Sequence, residues 1–537
     1  MRRRFFFTKV MSLLFAMMLA GHHLDAQSPA SKYDQPFRPQ VHFSPRENWT
    51  NDPNGLVYFH GEYHLFYQYN PFGDQWGHMS WGHAVSRDLL RWEELAVAIP
   101  EQDGVMIFTG SVVIDHSNTS GLCLPGVACM VAVYTGHGKT SEGVRQTQNI
   151  AYSHDDGRTW TKFKGNPVLD LHMEDFRDPN VTWDEERHQW LMAVALPKEH
   201  KVRFYSSKDL KQWTAMSDFG PAANVAGDWE CPTLVRVPGA KEKDREMWAL
   251  KVGLNPGAPQ GGSGEQYFLG GFDGRKFTAS TESGAQGLTN YGKDDYCAIS
   301  FNGLAKGERP VLLGWMSNWQ YAAKLPTSPW RGQMSLPRRL SVVHDGVGLA
   351  LKQEPVTMGL RGKSSLIPSR SEHKGGAAVL ATTEAPYELA VQFEAASELV
   401  FGLRLYSDDQ HWTEVGFDRE KKEFFIDRTK SGMVVAPDFP ARTSAPLKEG
   451  RGYDVRLIVD RSSVEAFAQG GTIAMTNLIY PGSQNNRIET FSGSGKPVIV
   501  KGQIWKLRSI WGSVGKATSR AQSGRVMGGL VTGAGGF

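Results

Sequence analysis

Cysteine is scarce: four in 537 residues are too few to staple a fold of this length, so a disulfide-built scaffold is excluded. None sits in the paired C-x-x-C spacing of a structural zinc site. Net charge is nearly absent as well. Against 59 basic residues stand 56 acidic ones, giving +3, and Arg2, Arg3, Arg4 and Lys9 opposite Asp25 alone supply all of it. The remainder is balanced and carries no basic stripe, so a nucleic-acid partner has no electrostatic basis. Beyond the first residues no apolar run approaches the ~18 positions of a membrane helix, and between about 38 and 355 a 3.6-residue periodicity is almost missing.

What is present starts with a cationic N-terminus and an apolar stretch from Val10 to about Gly21. It reads as a secretory signal over 1–26 with cleavage after Ala26, too short to span a bilayer. The expected mature protein is secreted or periplasmic, with no membrane contact. Its 40% hydrophobic and 21% charged residues are an ordinary globular mix.

From 38 to 355 short β-type runs alternate with turn residues. Leu56–Phe59, His60-Gly61-Glu62 and Tyr63–Tyr67 form one hairpin signal. A weak repeat recurs: Ser86-Arg87-Asp88-Leu89-Leu90-Arg91-Trp92 resembles Ser207–Trp213, with Ser153–Trp160 a longer variant and Phe272–Phe277 a distant one. The closing aromatics recur roughly every 60 residues, the size of a four-stranded blade. The span accommodates about five, predicting a five-bladed β-propeller. Alternating runs from 365 to 512, such as Leu389–Phe393 and Tyr453–Val459, predict a second all-β domain, a β-sandwich. The Gly- and Ser-rich stretch 513–537 reads as a disordered tail.

Three acid-plus-proline clusters each precede an apolar run: Trp49-Thr50-Asn51-Asp52-Pro53-Asn54-Gly55, Arg177-Asp178-Pro179 and Glu230-Cys231-Pro232. Taken singly each is a good turn. Falling in successive repeat units, they would converge at one mouth of the propeller. Glycoside hydrolysis needs such convergence: one carboxylate to attack and one carboxylic acid to protonate the leaving oxygen.

These three motifs, in this order, resemble the signature of glycoside hydrolase family 32, the β-fructosidases. Trp81-Gly82-His83, Phe108-Thr109-Gly110-Ser111, Gly262–Phe268 and Leu313–Tyr321 extend the resemblance, the last of them, with Pro326–Arg331, toward its levanase and exo-inulinase branch. The resemblance implies a propeller followed by a sandwich and a retaining reaction that releases terminal fructose from levan, inulin or sucrose without a cofactor or metal. It further implies Asp52 as nucleophile, Glu230 as acid and base, and Asp178 as the carboxylate that holds the fructosyl ring. Retention requires Asp52 and Glu230 to stand roughly 5–5.5 Å apart, and a protonated Glu230 requires burial or the nearby Asp52 charge to raise its pKa. Trp49, Asn51, Gln68, Trp76, Thr109, Gly110, Ser111, Arg177, Asp294, Trp315 and Trp319 are expected to bind substrate. Thr50, Thr109 and Cys297 depart from the residues the family more often has.

Cys123 and Cys129 flank a Leu-Pro-Gly turn and can bridge, although four cysteines leave three connectivities open. Cys231 reads as a neighbour that shapes the environment of the acid, not as a disulfide partner. The histidine pairs His78/His83 and His60/His64 lack a metal-ligand spacing with a supporting carboxylate. Rival readings are a sialidase-like propeller, prompted by Ser153–Trp160, a non-catalytic glycan-binding propeller, and a fructosyltransferase sharing the same covalent intermediate.

Overall fold

The short alternating runs fold into five antiparallel sheets in chain order. The computed structural model describes residues 33–511 apart from 142, 242–244, 345–347, 368–376, 395–397, 483–485 and 497. The expected signal over 1–26 and tail over 513–537 lie outside the described residues. Each sheet begins with an inner strand: Asn48–Phe59, Met106–Asp115, Arg177–Asp184, Asp228–Val237 and Tyr296–Ser300. Each inner strand packs against the next, and the fifth packs back on the first, closing a ring. Trp330–Arg331 pairs parallel with the start of the first inner strand and reinforces the closure. Closing the ring removes the unpaired end sheets an open row would expose.

The sequence repeat marks one position in each of the first four sheets, the turn from third to fourth strand. Asp88, Asp155, Asp209 and Asp273 each accept backbone N–H bonds there from residues two to four positions on. Ser86, Ser153 and Ser207 orient the first three of these carboxylates. The Ser153–Trp160 box is thus a local turn lock, which accounts for it without a sialidase.

All five inner strands slip register near their first residues: between Thr50 and Pro53, Ile107 and Gly110, Arg177 and Asn180, Glu230 and Thr233, and Tyr296 and Ile299. Such bulges re-aim side chains that a regular pleat would alternate between faces. Asp178, Cys231 and Cys297 lie within them at φ of +66°, +48° and +48°, a region that non-glycine residues occupy only when surrounding structure enforces it. At the other end of the ring Asn302 ties three strands together: its Nδ2 donates to the carbonyls of Val112 and Val181, and its backbone pairs with Leu56 and Tyr58.

From Arg361 onward two six-stranded sheets face each other. Their inward residues, among them Leu389, Leu403, Phe417 and Leu457, are fully buried, each such side chain contributing about 1.5–3 kcal/mol. This sandwich is stitched to the loop that feeds the fifth inner strand. Arg428 donates to Asp294 at 2.6 Å, and Arg338 bridges Asp295 at 3.0 Å to Glu465 at 3.0 Å. A Cβ on Gly292 would lie 2.2 Å from the Thr476 carbonyl oxygen, so only glycine permits the approach. Asp460 likewise anchors the N-terminal segment, accepting from the amides of Gln40 and Val41 with His42 Nδ1 at 2.8 Å.

Candidate active site

Because the bulges lie at the same end of all five inner strands, their side chains meet at one mouth of the ring. A cavity of about 250 Å³ opens there, lined by Asn51, Asp52, Gln68, Trp76, Phe108, Thr109, Arg177, Asp178, Glu230, Asn255 and Trp319. That is smaller than the roughly 300–1,000 Å³ of drug-sized sites and suits one sugar ring better than several.

Asp52 Oδ2 accepts from Thr109 Oγ1 at 3.0 Å, while its buried Oδ1 has no partner. Asp178 Oδ2 accepts from the Cys231 amide at 2.9 Å, and the Asp178 amide donates to Thr135 Oγ1 at 3.0 Å. Glu230 is held on both oxygens: Arg177 donates to Oε1 through Nε at 3.1 Å and Nη2 at 2.9 Å, and the Tyr296 hydroxyl bonds Oε2. Gln146, buried on the neighbouring sheet, accepts from the Phe176 amide and from Arg177 Nη1, fixing the guanidinium that orients Glu230.

Burial, then the charges of Asp178 and Glu230, push Asp52 up to about 8. Burial raises Asp178 to about 6, where the Arg177 charge opposes a further rise and Glu230 promotes it. Carboxylates crowded in a poorly solvated pocket cannot all ionise together, and the retained proton belongs to the set and not to one member.

The structure brings Asn51, Asp52, Gln68, Trp76, Thr109, Arg177, Asp178, Glu230 and Trp319 to one cavity. It places the other expected residues elsewhere. Asp294 is fully buried in the seam, bonded to Arg428 and to the Tyr321 hydroxyl, so it does not reach the pocket. Trp315 and Trp49 are also buried and pack behind Trp319, with Trp49 Nε1 donating to Asn51 at 2.8 Å. Ser111 ties the second inner strand to the third, donating to the Pro179 carbonyl and accepting from the Val181 amide. Gly110 is a packing glycine: a Cβ would stand 2.2 Å from the Val133 carbonyl oxygen.

Cys231 is a disulfide partner after all, joined to Cys297 with Cα atoms 5.4 Å apart. Both occupy bulges of adjacent inner strands, a proximity that a separation of 66 residues conceals. Cys123 and Cys129 form the other bridge. Among the described residues, Asp52, Cys231 and Cys297 also make a group whose donor atoms lie within 4.8 Å of one another.

Phe108, Asn255 and Tyr296 are not among the residues expected from sequence to bind substrate. Phe108 adjoins the expected Thr109, and Asn255-Pro256 is a recognisable turn; nothing marks Tyr296, a lone tyrosine in a β-type run.

A family model described as the glycosyl hydrolases family 32 N-terminal domain matches residues 42–355, and one for its C-terminal region matches 357–506. The levanase of Bacillus subtilis (strain 168) is 40% identical over 513 residues, covering 93% of this chain and 75% of that one. The extracellular exo-inulinase of Aspergillus awamori is 39% identical over 523 residues, covering 90% and 96%. A crystal structure of exo-inulinase from the same species superposes with a TM-score of 0.83 at 38% identity, over 89% of this chain and 100% of that one. A β-fructofuranosidase from Schwanniomyces occidentalis, complexed with fructosyl-erythritol, superposes at 0.78 with 31% identity, over 90% and 100%.

Proposed function

The chain belongs to glycosyl hydrolase family 32, and on that premise we propose that it is a retaining, exo-acting enzyme that releases terminal fructose from levan or inulin. It is a glycoside hydrolase of the fructan- and sucrose-cleaving β-fructosidase class, with a fructose-containing carbohydrate as its ligand.

One observation carries the assignment of roles. A carboxylate with an unpartnered oxygen, Asp52, shares a small pocket with a carboxylate held on both oxygens, Glu230, and with a third, Asp178. Asp52 attacks the anomeric carbon of the terminal fructosyl unit while Glu230 gives the departing glycosidic oxygen a proton, leaving a fructosyl ester on Asp52. Glu230 then takes a proton from water, whose oxygen attacks the same carbon and frees Asp52. Asp178 accepts hydrogen bonds from ring hydroxyls, and Trp319, backed by Trp49 and Trp315, offers an apolar face to the sugar.

The roles proposed here assign no chemical step to the Cys231–Cys297 link or to Asp294. We assign residues 1–26 to a cleaved secretion signal, in keeping with the extracellular A. awamori relative; N-terminal sequencing of the exported protein should begin at Gln27.

The test is a time course of products from levan, inulin and sucrose. Free fructose from the earliest points, with no intermediate oligomers, is expected. Oligomers first would overturn exo action, fructose transferred onto a second sugar in preference to water would favour the transferase, and no release from any substrate would overturn the enzyme reading.

A further inference from the structure

The pair Cys231–Cys297 lies directly beneath the pocket, with the Cys231 sulfur 3.9 Å from Asp52 Oδ2. Both cysteines are buried, at 2% and 0% exposure. While joined, the sulfurs clamp the strand that carries Glu230 to the strand that carries Tyr296. They offer no thiol to the site.

We propose that this pair is a redox-gated trap for a soft divalent cation, closed as the disulfide and opened by a thiol reductant. A dithiol transfers two electrons and two protons to the bridge, leaving two cysteine thiols and its own cyclic disulfide. The opened site then holds two thiols and the Asp52 carboxylate, with donor atoms within 4.8 Å of one another. Cation binding displaces the two thiol protons.

Three protein ligands leave a fourth position unfilled by the protein, the pattern of an open tetrahedral site. Two sulfurs around a tetrahedral ion with metal–sulfur bonds of about 2.3 Å stand roughly 3.8 Å apart. Cα atoms 5.4 Å apart accommodate that separation with little backbone movement. Thiolates select soft ions such as cadmium or zinc over magnesium or calcium. A cation held there ties up Asp52. The loss of turnover therefore rests on Asp52 being the nucleophile, whereas the pairing and the capture do not.

The experiment compares protein exported to an oxidising compartment with protein made in a reducing cytosol, both on a Cys123→Ser/Cys129→Ser background so that the second pair contributes nothing. Non-reducing peptide mapping reads the 231–297 link. Cadmium titration is followed by thiolate-to-metal absorbance and by fructose release.

The exported form should show the link and no cadmium absorbance. The reduced form should bind one cadmium ion and lose at least ten-fold in turnover, and Cys297→Ala should keep turnover within a few-fold and ignore cadmium in both preparations. Unlinked peptides in the exported protein, equal cadmium responses from both forms, or a Cys297→Ala variant that responds like the reduced protein would overturn the trap. Absorbance in the reduced form with undiminished turnover would instead overturn the role given to Asp52.

Discussion

Carboxylates buried in two regions of this molecule differ in what faces them. In the seam between ring and sandwich, Asp294 meets Arg428, and Asp295 and Glu465 share Arg338; burial still raises Asp295 to about 7 against the Arg338 charge. Asp460 meets His42 and two amides; burial pushes its carboxyl up, but these bonds outweigh it and hold it below its ordinary value. At the mouth of the ring, Asp52 keeps an oxygen without a partner and, with Asp178, is pushed upward by burial and like charge. A buried carboxylate is tolerated when it is paired. One with no cation against it, as Asp52 is, marks a place where a partner arrives from outside.

The largest expected effect breaks the mouth while sparing the seam. Asp52→Asn or Glu230→Gln should lower turnover by several orders of magnitude while the protein still folds and melts cooperatively; near-normal fructose release in either variant would sink the roles given to them. The converse substitution, Arg428→Met, leaves Asp294 buried without its guanidinium and should remove about 3–5 kcal/mol of stability, read by chemical denaturation. A loss below about 1 kcal/mol would show the seam to be dispensable.

A smaller effect lies in pH. The folded state holds a proton near Asp52 that the unfolded chain releases above about pH 4, so folding binds more protons than the unfolded state between about 4 and 8. Stability must then fall with rising pH across that window, by up to about 1.4 kcal/mol per unit for one proton. Asp52→Asn should flatten this slope in melts taken from pH 5 to 8, and parallel curves would contradict it. Asp460 acts in the other direction. Its stabilising contribution is present above the ordinary carboxylate range and is lost only as pH drops through its depressed value. The smallest effect is at the rim: Trp76, 46% exposed beside Phe108, should on change to Ala raise KM for fructan by about 2–10-fold, the scale of one lost aromatic contact, with kcat nearly constant.

How much of this was legible beforehand depends on how local the signal is. The Ser-x-Asp turn writes itself within a few residues, so it marks the first three sheets directly, while the fifth is reached only by dividing the span by the repeat length. The three acid motifs are equally compact. Their bulges are not, because a register slip is set by the partner strand and leaves no trace in the residues that slip. Asp294 and Asp295 look interchangeable with a catalytic acid until Arg428 and Arg338 are seen to reach them. Trp49, Trp315 and Trp319 carry the same side chain, and only packing distinguishes the one that faces the cavity. The link from Cys231 to Cys297 and the bond from Tyr296 to Glu230 join segments 66 residues apart, a distance over which pattern gives no hint.

Asn302 lashes three inner strands together at the end of the ring away from the acids. Those strands carry Asp52, the Thr109 that bonds it, and Asp178, so this one amide acts like a hoop on a barrel, fixing at one rim the spacing of staves whose opposite ends hold the chemistry.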